Sequence, residues 1–204
     1  IGQDHGYIFE VPATANAPVQ PVPLKAMGRF NHEAAAVDPK TGYVYLTEDR
    51  HDSLFYRFIP NEYGQLAAGG QLQALVIKSN PQFDTRNWQS ASTPVFGTYD
   101  VEWVNLENPE SPDDDLRYQG YEKGAALFAR GEGIHWGEGE CYFCCTNGGK
   151  MKHGQIMRYQ PSVADKDQGQ ISLFFESDDP NMYDFGDNLT VTPQGHLLVC
   201  EDQS

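Results

Sequence analysis

The sequence has 204 residues, and its 14 Lys and Arg against 29 Asp and Glu give a formal net charge of −15 at pH 7. This scarcity of positive charge argues against a nucleic-acid partner, and no run approaches the roughly 18 apolar residues of an integral membrane segment. Aromatic residues at 12% exclude a disordered acidic tail, while 20 Gly and 13 Pro suit short strands joined by turns better than a helical bundle. We therefore expect a folded, soluble, all-β protein.

The first predicted elements belong to two repeat units. Strand patterns at 6–12 and 21–28 match the outer two strands of a unit whose inner hairpin is missing. A β-hairpin pattern at 32–49 follows, with a turn rich in Asp, Pro and Gly, and further strands are predicted at 54–60 and 71–78. Together these last elements form one complete unit of four strands.

A long insertion follows at 80–130. It carries repeated Asn-Pro, Thr-Pro and Ser-Pro steps and an Asp-Asp-Asp run, all typical of loops. Its one predicted strand lies at 99–104.

A second complete unit comes after the insertion. Its hairpin spans 131–147, and its outer strands are predicted at 154–161 and 169–177. A third hairpin at 187–202 repeats the same order of acid, strand, turn and strand. The recurrence of this pattern identifies an internal repeat.

Four-stranded antiparallel units repeated every 40–50 residues or so are typical of a β-propeller. We predict about three blades in one partial propeller domain over 1–204, with 80–130 as an insertion between blades. Propellers typically have about 4–8 blades, so three would leave open blade edges. We expect missing chain, self-association or a complementary chain to cover those edges. Two hairpin-rich sheets in a sandwich are the alternative.

The acids Glu33, Glu132 and Asp187 open the three hairpins at the same repeat position. The innermost strands of a propeller line its central channel, so these side chains would converge. Converging carboxylates repel one another unless cations lie between them, and hard oxygen ligands select Ca²⁺, Mg²⁺, Mn²⁺ or Fe³⁺. The pattern therefore predicts a metal centre. For any single acid, a loop cap or an ion pair with Arg29 or Arg130 is the alternative.

Acidic pairs close the second strands of the first and third hairpins. They are Glu48-Asp49 and Glu201-Asp202. Such pairs are commonly solvated turns, but Asp49 and Glu201 are also candidate metal ligands.

His32, beside Glu33, would ligate a metal, donate to a phosphate or fill the core, and His135 shares that neighbourhood. The sequence holds no G-x-S-x-G, H-E-x-x-H or Walker motif, which disfavours those hydrolase and nucleotide-binding classes. No catalytic residue is assigned from the sequence.

Four cysteines include a C-x-x-C pattern at Cys141 and Cys144, with Cys145 and Cys200 beside them in the repeat. In an extended strand Cys141 and Cys144 stand about 10 Å apart, at a rise of roughly 3.3 Å per residue, so a zinc site would require a broken strand. We expect buried, small core residues. A disulfide between Cys200 and either Cys141 or Cys145 stays open.

Four blocks of the sequence resemble the PhoX-type alkaline phosphatases. They are DHGYIFEVP, GRFNHEAAAVDPKTGYVYLTEDRHDSLFYRFIP, FARGEGIHWGEGECYF and DNLTVTPQGHLLVCED. The blocks occur in the family's order, and the resemblance covers 5–79 and 125–204.

The resemblance implies a six-bladed propeller, periplasmic or secreted through the twin-arginine route. It implies hydrolysis of small-molecule phosphate monoesters by calcium and iron(III) held in the central channel. Metal-binding roles follow for Glu33, Glu132, Asp187 and Glu201. Arg130 would clamp the phosphate, with an ion pair to Glu132 or Glu33 as its alternative role, and His32 is the second candidate for substrate binding.

The sequence departs from the family in one respect. Family members carry a Cys-Glu-Glu segment upstream of the DHGY block, whose Cys binds iron, and this chain begins after that point. We therefore expect the chain to hold only part of the site. A calcium-dependent propeller lactonase and a non-catalytic, calcium-stabilised binding module remain as alternative functions.

Overall fold

A computed structural model of the protein describes residues 4–89 and 92–202, and confirms an all-β fold. Its regular elements are β1 (His32–Val37), β2 (Val44–Glu48), β3 (Tyr56–Pro60), β4 (Gly70–Ile77), β5 (Thr98–Asn105), α1 (Leu116–Glu122), β6 (Gly131–Gly137), β7 (Glu140–Cys145), β8 (Gln155–Pro161), β9 (Gly169–Glu176), β10 (Gly186–Val191) and β11 (Leu197–Glu201), with short 3₁₀ turns at Lys25–Met27 and Leu66–Ala68. Within the described ranges, no helix has the length and apolar character needed to cross a membrane.

The strands form two antiparallel units, β1–β4 and β6–β9, in which strands consecutive along the chain are hydrogen-bonded neighbours. The hairpin β10–β11 forms a sheet of its own. We expected the two units to be separate sheets, and this expectation is wrong. Strand β5 pairs antiparallel with both outer strands, β4 and β9, and joins them into one nine-stranded sheet with β1 and β6 at its ends. An outer strand exposes unpaired backbone groups, and β5 satisfies those of both units at once.

Residues 80–130, predicted to be an insertion between blades, contain more structure than a loop with one strand. The predicted strand at 99–104 is β5, and α1 follows it with Leu116 and Gly120 buried.

The N-terminal segment differs from its prediction. The expected strands at 6–12 and 21–28 are absent from the described residues, where 25–27 forms a 3₁₀ turn. The two segments are joined by one isolated antiparallel bridge between Phe9 and Pro23 and one hydrogen bond from the Leu24 amide to the Ile8 carbonyl at 2.9 Å. Four prolines in 12–23 lack the backbone N–H that a strand ladder needs, which explains the loss.

An aromatic core lies between the two units and fixes them against each other. Phe55, before β3, stacks on Phe143 of β7 with ring centroids 4.4 Å apart, and Tyr45 lies 5.2 Å from Tyr159. All four rings are almost fully buried. As a result β6 packs beside both β1 and β10, which places the first strands of the three hairpins side by side.

Candidate metal centre

The three hairpins share one backbone geometry. In each, the first residue of the hairpin's opening strand pairs with a residue at the end of the second strand, and a register irregularity follows at once. The amide of the next residue then returns to the residue before the opening strand in all three cases. The hydrogen-bonded pairs are Asp49 to Asn31 at 3.0 Å, Thr146 to Arg130 at 3.1 Å and Asp202 to Phe185 at 2.9 Å. The repeat inferred from the sequence is therefore present in the structure.

The second residue of each opening strand is an acid, and the structure brings the three acids together. Glu33 of β1, Glu132 of β6 and Asp187 of β10 each offer a carboxylate oxygen within 4.8 Å of the others. This group of three is the carboxylate cluster. Three different strands thus place one carboxylate oxygen each at a common point, where a cation could be bound.

Glycines on both sides of Glu132 permit this approach. A Cβ on Gly133 would lie 2.7 Å from the Asn188 Cα, so β6 and β10 approach more closely than a side chain allows. On the other side, the Thr47 hydroxyl donates to the Glu132 carbonyl at 2.6 Å. The backbone of Glu132 is thus held between its neighbouring hairpins, and its side chain is only 6% exposed.

The carboxylates are electrostatically unfavourable neighbours. Burial, with the negative charges of Asp49 and the other acids of the cluster, raises the pKa of Glu132 to about 9. Burial and the charges of Asp187 and Asp49 also raise the pKa of Glu33. A cation would favour the charged forms and relieve the repulsion. Because the donors are carboxylate oxygens, the cluster fits a hard cation such as calcium or iron(III).

Arg130 is the positive group beside the cluster. Its Nε and Nη2 donate to the two Asp49 oxygens at 2.7 and 3.3 Å, and Nη2 also donates to Glu132 Oε1 at 2.9 Å. The ion pair with Glu132 foreseen as its alternative role is therefore present. The Arg130 side chain remains 32% exposed, so it still faces solvent next to the cluster. Arg130 thus bridges Asp49 and Glu132, and the role of Asp49 as a metal ligand stays a prediction.

Glu201 takes part in a different contact. Its Oε1 accepts a hydrogen bond from the Asp184 amide at 2.7 Å, and Asp184 in turn contacts His153 Nδ1 at 2.9 Å. In this structure Glu201 caps the loop before β10, and its role as a metal ligand stays a prediction.

His32 is oriented by its own surroundings. Its ring lies 3.6 Å from that of Phe30, between centroids, and its Nε2 lies 3.0 Å from the Gly28 carbonyl oxygen. Burial lowers its pKa to about 4, so the ring is neutral at physiological pH. A neutral ring held in this way fits the core-filling alternative, and substrate binding by His32 stays a prediction.

Glu48, expected in a solvated turn, lies in the core instead. It is fully buried at the end of β2, where Oε2 accepts from the Tyr56 hydroxyl at 2.7 Å and Oε1 lies 3.8 Å from Arg117 Nη1. Every residue of β2 is buried, including Glu48 at its end. The pair of adjacent acids at this position indicated a solvated turn and not a buried strand end. Cys141, Cys144 and Cys145 are buried, as expected, whereas Cys200 is exposed. All four are free thiols, so the disulfide that stayed open for Cys200 is not formed in this structure.

A family model described as alkaline phosphatase PhoX matches residues 1–204. The chain belongs to the PhoX family. No curated protein matches it.

Among solved structures, PhoX of Pseudomonas fluorescens in complex with vanadate, a transition state analogue, is similar, with a TM-score of 0.69 and 19% sequence identity. The likeness covers 98% of this chain and 43% of that one, so this PhoX family member spans less than half the length of its solved relative. At this identity the likeness shows that the two chains share a fold.

Proposed function

We propose that the protein contributes a metal centre to a phosphomonoester hydrolase of the alkaline phosphatase type, with small-molecule phosphate esters as substrates. The observation that carries the proposal is the meeting of three carboxylates from three repeated hairpins in a chain of the PhoX family. A periplasmic or secreted location accords with the family. The lactonase and binding-module alternatives are not favoured by this membership.

We further propose a β-propeller in which β1, β6 and β10 are innermost strands. Their side-by-side packing and shared hairpin register support this architecture. The chain would form one partial domain over 1–204, with 80–130 as an insertion between blades. About three blades of a six-bladed propeller accord with the 43% of the solved relative that the chain covers.

Glu33, Glu132 and Asp187 would hold calcium and iron(III), with Asp49 and Glu201 as further ligands. When bound, such cations neutralise phosphate oxygens and stabilise the charge that develops in phosphoryl transfer. Arg130, anchored by Asp49 and Glu132, would direct positive charge at the same phosphate and fix its orientation.

The proposal is tested by Glu132→Gln in the complete, metal-loaded protein, with metal content and phenyl phosphate hydrolysis as readouts. The amide keeps the size of the side chain and removes one anionic ligand. We expect metal affinity and turnover to fall together by roughly 10–100-fold, with partial recovery in excess metal.

The matched control is Glu102→Gln, an exposed acid on β5. It should leave both readouts unchanged. Full metal content and activity in Glu132→Gln would assign Glu132 to structure alone. Hydrolysis of a sugar lactone instead of phenyl phosphate by the wild-type protein would support the lactonase.

A further inference from the structure

A cavity of about 230 Å³ lies between the N-terminal segment, the turn before β1 and the loop before α1. Its polar lining consists of His5, Arg29, Asn31, Arg50, Ser111 and Asp114. The lining includes the guanidinium groups of Arg29 and Arg50. Two arginines in one cavity are unusual in a chain with only 14 Lys and Arg against 29 acids. The cavity therefore brings two arginines together, with Asp114 as the acid of its lining.

Backbone hydrogen bonds connect this cavity to the candidate metal centre. The Asp49 amide donates to the Asn31 carbonyl at 3.0 Å, and the Asn31 side chain donates to the Asp49 carbonyl at 2.8 Å. The Arg130 amide donates to the Arg50 carbonyl at 2.9 Å. Asn31 also precedes Glu33 by two residues, a step of roughly 7 Å in extended chain. The cavity and the centre are therefore built on adjoining residues of the same two segments, around Asn31 and Asp49.

Arg50 is available to such a ligand. Its side chain is 44% exposed and contacts Asp114 through Nη2 at 2.8 Å. Asp114 is shared with Arg117, whose Nη1 lies 3.1 Å away, so it does not neutralise Arg50 alone. A guanidinium carries five N–H donors, and the described contacts of Arg50 use only this one nitrogen.

Arg29 is held similarly. Its Nε donates to the His5 carbonyl at 2.9 Å, and its Nη2 contacts Asp4 at 3.2 Å. These contacts orient the guanidinium and leave Nη1 without a partner among the described residues. Arginine donors in this planar arrangement suit the paired oxygens of a carboxylate or phosphate.

We propose that this cavity binds an anionic group, a carboxylate or a second phosphate, on the alcohol portion of the phosphate ester. The inference rests on the proposed function, because it places the reacting phosphate at the carboxylate cluster. The volume of the cavity, about 230 Å³, is below the roughly 300–1,000 Å³ of sites for drug-sized ligands. A cavity of this size fits one small charged group. Arg50 and Arg29 would then determine specificity for doubly anionic esters.

The test compares 4-carboxyphenyl phosphate with phenyl phosphate as substrates of the complete, metal-loaded protein. The two esters differ only in the added carboxylate, so the ratio of their kcat/KM values isolates the cavity. We expect Arg50→Gln to lower that ratio about tenfold, the usual effect of one charged hydrogen bond, and Arg29→Gln to lower it as well. Asp114→Asn removes the competing negative charge and should raise the ratio.

The control is Arg158→Gln, a partly exposed arginine paired with Glu140 on β8 and β7, which should leave the ratio unchanged. If Arg50→Gln leaves the ratio of the two kcat/KM values unchanged, whether or not both values fall, the inference is overturned. Binding of 4-carboxybenzylphosphonate against benzylphosphonate, measured by calorimetry, gives a second readout without turnover. If wild type hydrolyses neither ester, the proposed function fails, and the affinity ratio still decides whether the cavity binds the carboxylate.

Discussion

At the scale of single residues, the buried acid Glu48 shows how position decides the state of a carboxyl group. Burial raises its pKa to about 7, and the Tyr56 hydroxyl and the Arg117 guanidinium offset only part of this rise. The folded-state pKa therefore lies above the ordinary value of 4.5. The stabilisation that the protonated Glu48 side chain contributes to the fold is fully present below that ordinary pKa. It is lost as the pH rises through about 7.

Replacing Glu48 with Gln should remove this pH dependence. Between about pH 4 and about pH 9, the free energy of unfolding of wild type should fall by about 3 kcal/mol relative to Glu48→Gln, since each unit of pKa shift corresponds to about 1.4 kcal/mol. Urea unfolding across this pH range measures the difference, with Glu102→Gln as the exposed control. Parallel pH profiles for wild type and Glu48→Gln would contradict the assignment.

The sequence predicted the meeting of Glu33, Glu132 and Asp187 because a repeat carries equivalent residues to equivalent places. It could not predict the state of Glu48. That acid depends on Arg117, which reaches it from α1, and no local pattern links the two. The role of Glu201 could not be predicted either. A carboxylate can cap a loop or bind a metal, and the sequence does not distinguish the two.

At the scale of elements, the approach of β6 to β10 depends on Gly133. Both atoms nearest to an added Cβ, the Asn188 Cα at 2.7 Å and the Asp187 carbonyl oxygen at 2.8 Å, belong to backbone that cannot rotate away. A side chain at this position must therefore displace β10, and with it the carboxylate of Asp187.

Gly133→Ala should weaken metal binding without touching a ligand. We expect a loss of about 1–3 kcal/mol in stability from overpacking and a fall in calcium affinity of roughly tenfold, measured by calorimetric titration. Gly195→Ala is the control. Its Cβ would enter open space, but its φ of +78° costs about 1 kcal/mol, so stability falls while calcium affinity stays constant. Equal calcium affinity in wild type and Gly133→Ala would show that β10 is not displaced.

At the scale of the whole molecule, β5 and the aromatic core make the two four-stranded units one body. Local periodicity indicated most strands of both units, because alternation and turn residues are read from neighbouring positions. It could not give the partners of β5, since pairing between distant strands depends on edges that exist only after both units have formed. The N-terminal strands were overestimated because their apolar residues are interrupted by prolines.

We expect the described body to unfold in one cooperative transition. Trp103 lies on β5, so in a variant that keeps it as the sole tryptophan its fluorescence reports the junction between units, while far-ultraviolet circular dichroism reports all strands. The two signals should have the same urea midpoint, as expected for a single cooperative unit. Two separated transitions would show that the units are stable independently.

The place of β5 also bears on the time course of folding. Its first partner, β4, precedes it closely in the chain, but its second partner is β9, where Thr98 pairs with Ser172. During synthesis β5 can therefore pair with β4 early, whereas its pairing with β9 requires that the second unit has been synthesised. Such distant pairings close late and slowly. During synthesis, one edge of β5 therefore stays unpaired until β9 has left the ribosome. The N-terminal unit that β5 extends is complete only after the second unit has been made.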